Sequence, residues 1–214
     1  MSAFNKWMRP WKAVFQKSSR EIHFTPPRTQ AHSLNLILLS DVHSPDSFLM
    51  NEVDPQEFDL VLTLGDINEA TMDYILNQAR LVPVYGVYGN HDPETMAGMD
   101  SLDDKVLLVN GYRIGGISGV NEHYSCVHSY SEKTIEKKLK RLGPVDILAA
   151  HVPPYSISKN EDRVHQGFKA LDDYILRHNP KYFFYGHLHR RQRDRIGETQ
   201  AVGIVGKEFV RVDG

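Results

Sequence analysis

Five short clusters of histidine, aspartate and asparagine punctuate the chain: Asp41-Val42-His43, Gly65-Asp66, Gly89-Asn90-His91-Asp92, His151, and Gly186-His187-Leu188-His189. Imidazole and carboxylate together suit ions such as Mn, Fe, Zn, Co or Ni, and one carboxylate can serve two ions at once. The clusters offer more donors than a single ion takes. Two divalent ions about 3.5 to 4 Å apart polarise a phosphoryl group and lower the pKa of bound water, so phosphoryl transfer to water is the chemistry these residue types favour. The 11 histidines are an enriched count for 214 residues, and their placement in the clusters gives that count its meaning.

The elements that must position the clusters are legible in the apolar runs. Residues 34–39, 59–64 and 82–87 read as strands buried on both faces and lying parallel to one another. Met72, Ile75, Leu76 and Ala79 have helical spacing between the second and third run. Asn110-Gly111 predicts a hairpin between residues 106–109 and 112–114. Ser131 is placed to cap a helix carrying Ile135, Leu139 and Leu142, which Gly143-Pro144 stops. Residues 145–150 and 181–185 read as two more strands, with a helix through Phe168, Leu171 and Ile175 between them. Residues 201–205 and 208–212 are expected to close a hairpin around Gly206-Lys207. The expected fold class is α/β, two packed mixed sheets forming a β-sandwich flanked by helices. Each cluster directly follows a strand, where open α/β sheets present ligand sites. If strand geometry continues, Asp41 and His43, like His187 and His189, point the same way.

In type and order the five clusters resemble the calcineurin-like metallophosphoesterases, whose pattern is DxH, GD, GNH followed by an acid, H, and GHxH. The resemblance implies that Asp41, His43 and His189 hold one metal, that Asn90, His151 and His187 hold the other, and that Asp66 bridges. It implies two divalent ions, Mn foremost, and a water-driven hydrolysis of a phosphate ester, more often a diester. His91 is implied to face the substrate as general acid or charge stabiliser, with Asp92 orienting it. The second motif continues Ile67-Asn68-Glu69-Ala70, without the arginine that serine/threonine phosphatases carry there. A catalytically silent relative using the fold as a binding scaffold is the alternative, and His91 beside a full ligand set is the feature that argues against it.

Arg190, Arg191, Arg193 and Arg195 follow His189 and read either as a solvated basic loop or as a substrate rim, Arg190 and Arg191 nearest the site. His23, His32, His165 and His178 read as structural, and His123 and His128 stay unassigned. Residues 1–33 form a separate segment before a domain spanning 34–214. Phe4, Trp7, Met8, Trp11, Val14 and Phe15 make an apolar stripe among five basic side chains and no acidic one in residues 1–20. That stripe predicts docking on the domain or a homo-oligomer contact. With 41% hydrophobic and 24% charged residues, a net charge of -2 and one cysteine, the chain is of ordinary globular composition and needs no disulfide. No apolar run reaches the roughly 20 residues of a membrane span. A cytoplasmic location follows as the expectation, with a small phosphate ester or a nucleic acid as partner.

Overall fold

The computed structural model describes residues 32–44, 54–80 and 82–213. The amphipathic segment expected over residues 1–20, and nearly all of the linker behind it, lie outside the described residues. In chain order the elements are β1 (Leu34–Ser40), β2 (Leu60–Thr63), α1 (Glu69–Ala79), β3 (Val84–Gly86) and β4 (Asp100–Ser101). Next come β5 (Lys105–Val109), β6 (Tyr112–Ile117), β7 (Val120–Asn121), β8 (Ser129–Tyr130), α2 (Glu132–Leu142) and β9 (Ile147–Ala150). The short α3 (Tyr155–Ser158), α4 (Lys169–His178), β10 (Tyr182–Tyr185), β11 (Gln192–Ile196), β12 (Thr199–Gly203) and β13 (Gly206–Val212) complete the fold.

Two mixed sheets face each other, one ordered β13-β1-β2-β3-β4 and the other β11-β12-β10-β9-β6-β5. The nearly continuous apolar run of β1 is explained by its place between two cores. Leu34, Leu36 and Leu38 enter the core between the sheets, while Ile37 and Leu39 turn outward to Met72, Ile75 and Ala79 of α1. All five leucine and isoleucine side chains are fully buried, each contributing about 1.5–3 kcal/mol. On the outer face of the second sheet, Ile135, Leu139 and Leu142 of α2 and Leu171 and Ile175 of α4 cover Leu148, Phe183 and Tyr185.

The expected parallel set holds: β1 pairs parallel with β2, and β2 with β3. The Asn110-Gly111 hairpin holds too, both residues having positive φ (49° and 87°), as its tight turn requires. Ser131 caps α2, its hydroxyl accepting from Thr134 N, and Gly143 follows the helix at φ 66°.

The C-terminal region departs from expectation. Residues 199–203 and 206–212 do not form a hairpin; β12 pairs with β10 and β11, whereas β13 crosses to the other sheet and runs antiparallel to β1 from Leu34↔Val212 to Ser40↔Gly206. Gly206 turns this corner at φ 73°. The expected basic loop is largely the edge strand β11, which pairs antiparallel with β12. Charged residues on a sheet edge hide the strand signal while protecting that edge from aggregation.

Candidate metal centre

Strands of both sheets deliver the clusters to one place. Asp41 follows β1, Asp66 follows β2, residues 89–92 follow β3, His151 follows β9, and residues 186–189 follow β10. The chain does not continue as strand through them. Asp41, Asp66, His187 and His189 all have left-handed backbone, with φ of 55°, 58°, 67° and 49°. Tight turns, not the alternation of a continuing strand, therefore bring the side chains together. Close approach demands glycine twice: a Cβ on Gly89 would lie 2.1 Å from Asp66 Oδ1, and one on Gly186 would lie 1.9 Å from Ser40 Oγ.

Asp41, Asp66 and His151 are buried and bring one ligand atom each within 4.8 Å of one another. Asp66 Oδ1 accepts from His91 N (2.9 Å), and Asp41 Oδ2 accepts from Ser40 Oγ (2.7 Å) and His187 N (3.1 Å). The other oxygen of each carboxylate, Asp41 Oδ1 and Asp66 Oδ2, is buried without a hydrogen-bond partner. Leaving a buried carboxylate oxygen unpaired is costly unless a cation meets it.

The histidines are arranged for the same purpose. His151 Nδ1 donates to Leu64 O (2.8 Å), so in the neutral ring Nε2 is a lone pair, facing Asn90 Oδ1 at 3.1 Å and Asp66 Oδ2 at 3.5 Å. His187 Nε2 donates to Val164 O (3.0 Å), which leaves Nδ1 as its acceptor, and its ring lies 4.9 Å from that of His151. Fixing one ring nitrogen by a carbonyl is how metal-binding histidines are oriented. Burial and the neighbouring His151 push His187 down to about 3, which keeps its ring neutral. On the solvent side, His189 Nδ1 lies 3.8 Å from Asp41 Oδ1 and its ring 6.3 Å from that of His43, with the His189 side chain 51% exposed. Lone pairs gathered around the unpaired carboxylate oxygens of Asp41 and Asp66 fit a cation.

The profile of the calcineurin-like phosphoesterase superfamily domain matches residues 34–206. The chain belongs to this superfamily. A Haemophilus influenzae protein, described only as uncharacterized, is 22% identical over 205 residues, covering 80% of this chain and 90% of that one. Among solved structures, TT1561 of Thermus thermophilus shares the fold at a TM-score of 0.59 and 14% identity, over 86% of this chain and 99% of its own. The phosphopantetheinyl hydrolase of Mycobacterium tuberculosis shares it at a TM-score of 0.57 and 13% identity, over 82% of this chain and 91% of its own. Superfamily membership points to phosphoester hydrolysis supported by divalent metal. Among the described residues, no helix is long and apolar enough to cross a membrane.

Within this phosphoesterase frame, Asp92 has a different job from the one expected. Its oxygens accept from Gly89 N (2.7 Å), Asp66 N (2.9 Å) and Ile67 N (2.9 Å), so it fastens two ligand loops together instead of aiming His91. Burial raises its pKa above the ordinary carboxylate range, those three amides oppose the shift, and the charge of Asp66 adds to it. The His91 ring is flanked edge-to-face by His43 (6.0 Å, 87°) and Tyr124 (6.1 Å, 79°).

The basic run is mostly paired. Arg190 lies on Glu161 (2.8 Å), Arg193 on Glu208 (2.8 Å) and Arg195 on Glu198 (3.0 Å), while Arg191 donates to Lys207 O (2.9 Å). His128 is structural, stacked on Tyr88 at 4.7 Å and donating to Pro93 O (2.7 Å). His123 sits in a turn, its amide donating to the Asn121 side chain (3.0 Å).

Sequence reasoning missed the segment 161–166, which straps the site. Asn121 Nδ2 donates to Arg163 O (2.7 Å) and Gln166 O (2.5 Å), and Val164 O holds His187. His165, expected to be merely structural, lies 5.1 Å from the His187 ring with Nδ1 on Asp162 (2.7 Å). The Asp162/His165 spacing of three was the available signal.

Proposed function

We propose that this chain is a binuclear metal-dependent phosphoesterase that hydrolyses a phosphate ester, with a diester preferred, in the cytoplasm. The observation that carries the reading is the pair of buried, unpartnered oxygens of Asp41 and Asp66 set against the His151 ring. Asp41, His43 and His189 would hold one ion, Asn90, His151 and His187 the other, and Asp66 both. Mn suits this mixture of imidazole, carboxylate and amide oxygen. Two such ions supply Lewis acidity toward the phosphoryl group and acidify water at neutral pH.

The chain's own groups do the rest. His91 donates a proton to the leaving oxygen, its backbone anchored by the bond from its amide to Asp66 Oδ1 (2.9 Å). Asp92 keeps the Gly89 and Asp66 loops in register. The diester preference draws support from the rim: three of the four arginines after His189 already face carboxylates, which suits a singly charged phosphate better than a dianion. The name of the mycobacterial neighbour adds phosphopantetheinyl esters to the substrates worth testing.

The test is turnover of the Mn-supplied protein on aryl and alkyl mono- and diesters, cyclic nucleotides, a phosphopantetheinyl ester and single-stranded nucleic acid, with metal analysis alongside. Two ions per chain and turnover abolished by Asp66→Asn are expected. One ion at saturation refutes the binuclear site, and two ions without turnover on any ester leaves the silent scaffold in its place.

A further inference from the structure

A general acid must be aimed, and its ring is normally fixed by a second group. In this protein the adjacent carboxylate is not that group, since both Asp92 oxygens are taken up by the amides of Gly89, Asp66 and Ile67. Among the described residues, the two ring neighbours of His91 are His43 and Tyr124, both nearly perpendicular to it and within the 4.5–7 Å at which edge-to-face pairs attract. His43 belongs to the metal set. Tyr124 has no such duty.

Its position is nevertheless built with care. Tyr124 N donates to Asn121 O (3.0 Å), and His123 N to Asn121 Oδ1 (3.0 Å), forming a tight turn. The same Asn121 is buried and clamped to the carbonyls of Arg163 and Gln166. Tyr124 is half-buried and packs against the apolar core beneath α2 and α4, which fixes it beside the imidazole.

We propose that Tyr124 is the positioning residue for His91, holding the imidazole edge-on in the orientation that delivers its proton to the leaving oxygen. The proposal rests on the reading of His91 as general acid. It concerns the ring of Tyr124, not its hydroxyl.

The Mn-loaded full chain decides it, with kcat and KM measured on a p-nitrophenyl diester and an alkyl diester. Tyr124→Leu is expected to lower kcat on the alkyl ester about 10-fold or more, a fraction of what a general acid supplies, and on the p-nitrophenyl ester by no more than about 3-fold. KM and metal content stay unchanged, and Tyr124→Phe restores the rate. Tyr124→Leu added to His91→Ala slows the enzyme no further. Equal losses on both esters, a raised KM with kcat intact, or full additivity with His91→Ala each overturn the proposal. If Tyr124→Leu does not fold, Tyr124→Met gives a second ringless variant for the same comparison. If His91→Ala alone loses equally on both esters, the acid assignment fails, and the coupling in the double variant still decides whether Tyr124 acts through His91.

Discussion

Asp41, Asp66, His187 and His189 share a backbone conformation that residues with a Cβ adopt reluctantly, at a cost on the order of 1–3 kcal/mol each. Hydrogen bonds hold the turns at Asp41 and around His187: Asp41 N donates to Gly65 O (3.1 Å), Gly186 N to His151 O (2.8 Å), and Leu188 N to Gly186 O (2.8 Å). Local chemistry at this scale makes a pH dependence measurable. His187 is held down to about 3, whereas in the unfolded chain an imidazole titrates near about 6.5. Between these values the unfolded chain binds the extra proton, so stability present above about pH 6.5 is lost as pH falls toward about 3. Chelator-treated protein should lose on the order of 2 kcal/mol between pH 7 and 5 from this one group. Urea titrations at the two pH values measure it, and His187→Gln should remove that part of the slope; an unchanged slope would count against a neutral buried His187.

At the scale of elements, the start of α1 has two jobs. Asn68 accepts from Thr71 N (2.8 Å) as the helix cap, while its amide donates to the carbonyl of His43. Asn68→Ala should cost about 1 kcal/mol of stability and weaken Mn binding several-fold. Asn68→Asp keeps the cap and lacks the donor, so stability returns while the metal defect remains; recovery of both would dissociate His43 from the helix. Across the other sheet, Tyr174 of α4 donates to Gly143 O (2.5 Å) behind α2, and Tyr174→Phe should lower stability by about 1 kcal/mol in thermal denaturation without altering turnover. Strands buried on both faces, such as β1 and β2, were legible because nearly all their positions are apolar, Asn35, Ser40 and Thr63 being the exceptions. The strand Gln192–Ile196 was not, because four of its five residues are polar and its pairing depends on a distant partner. Residue type and the family resemblance nominated the candidate ligands, of which Asp41, Asp66 and His151 bring ligand atoms within 4.8 Å of one another. Nothing in residue type reveals that the carboxylate of Asp92 reaches backbone amides, or that Asn121 clamps one loop through carbonyls 42 and 45 residues away.

For the molecule as a whole, ion binding and folding are linked. An ion held only by the folded chain stabilises it by about 2.7 kcal/mol at a hundredfold excess over Kd, so Mn should raise the melting temperature and a chelator reverse it. Asp66→Asn should blunt the rise; a full rise in that variant would place the ion elsewhere. Removing residues 1–20 should leave turnover per site within a few-fold, since the candidate ligands lie between Asp41 and His189. If that stripe docks or self-associates, the same truncation lowers the melting temperature or halves the mass in solution.

The crossing of β13 between the sheets has a consequence for how the protein is made. Leu34 pairs with Val212, so the strand that leads directly to Asp41 acquires its outer neighbour only when nearly all of the described chain has emerged from the ribosome. Until then β1 presents an apolar edge, the template for illicit pairing between nascent chains. Synthesis that stalls before Gly206 should therefore yield aggregate, not a slightly weaker enzyme. Expressing residues 1–205 and comparing soluble with insoluble product makes the point measurable. A soluble, folded fragment would show that β1 does not need this late partner.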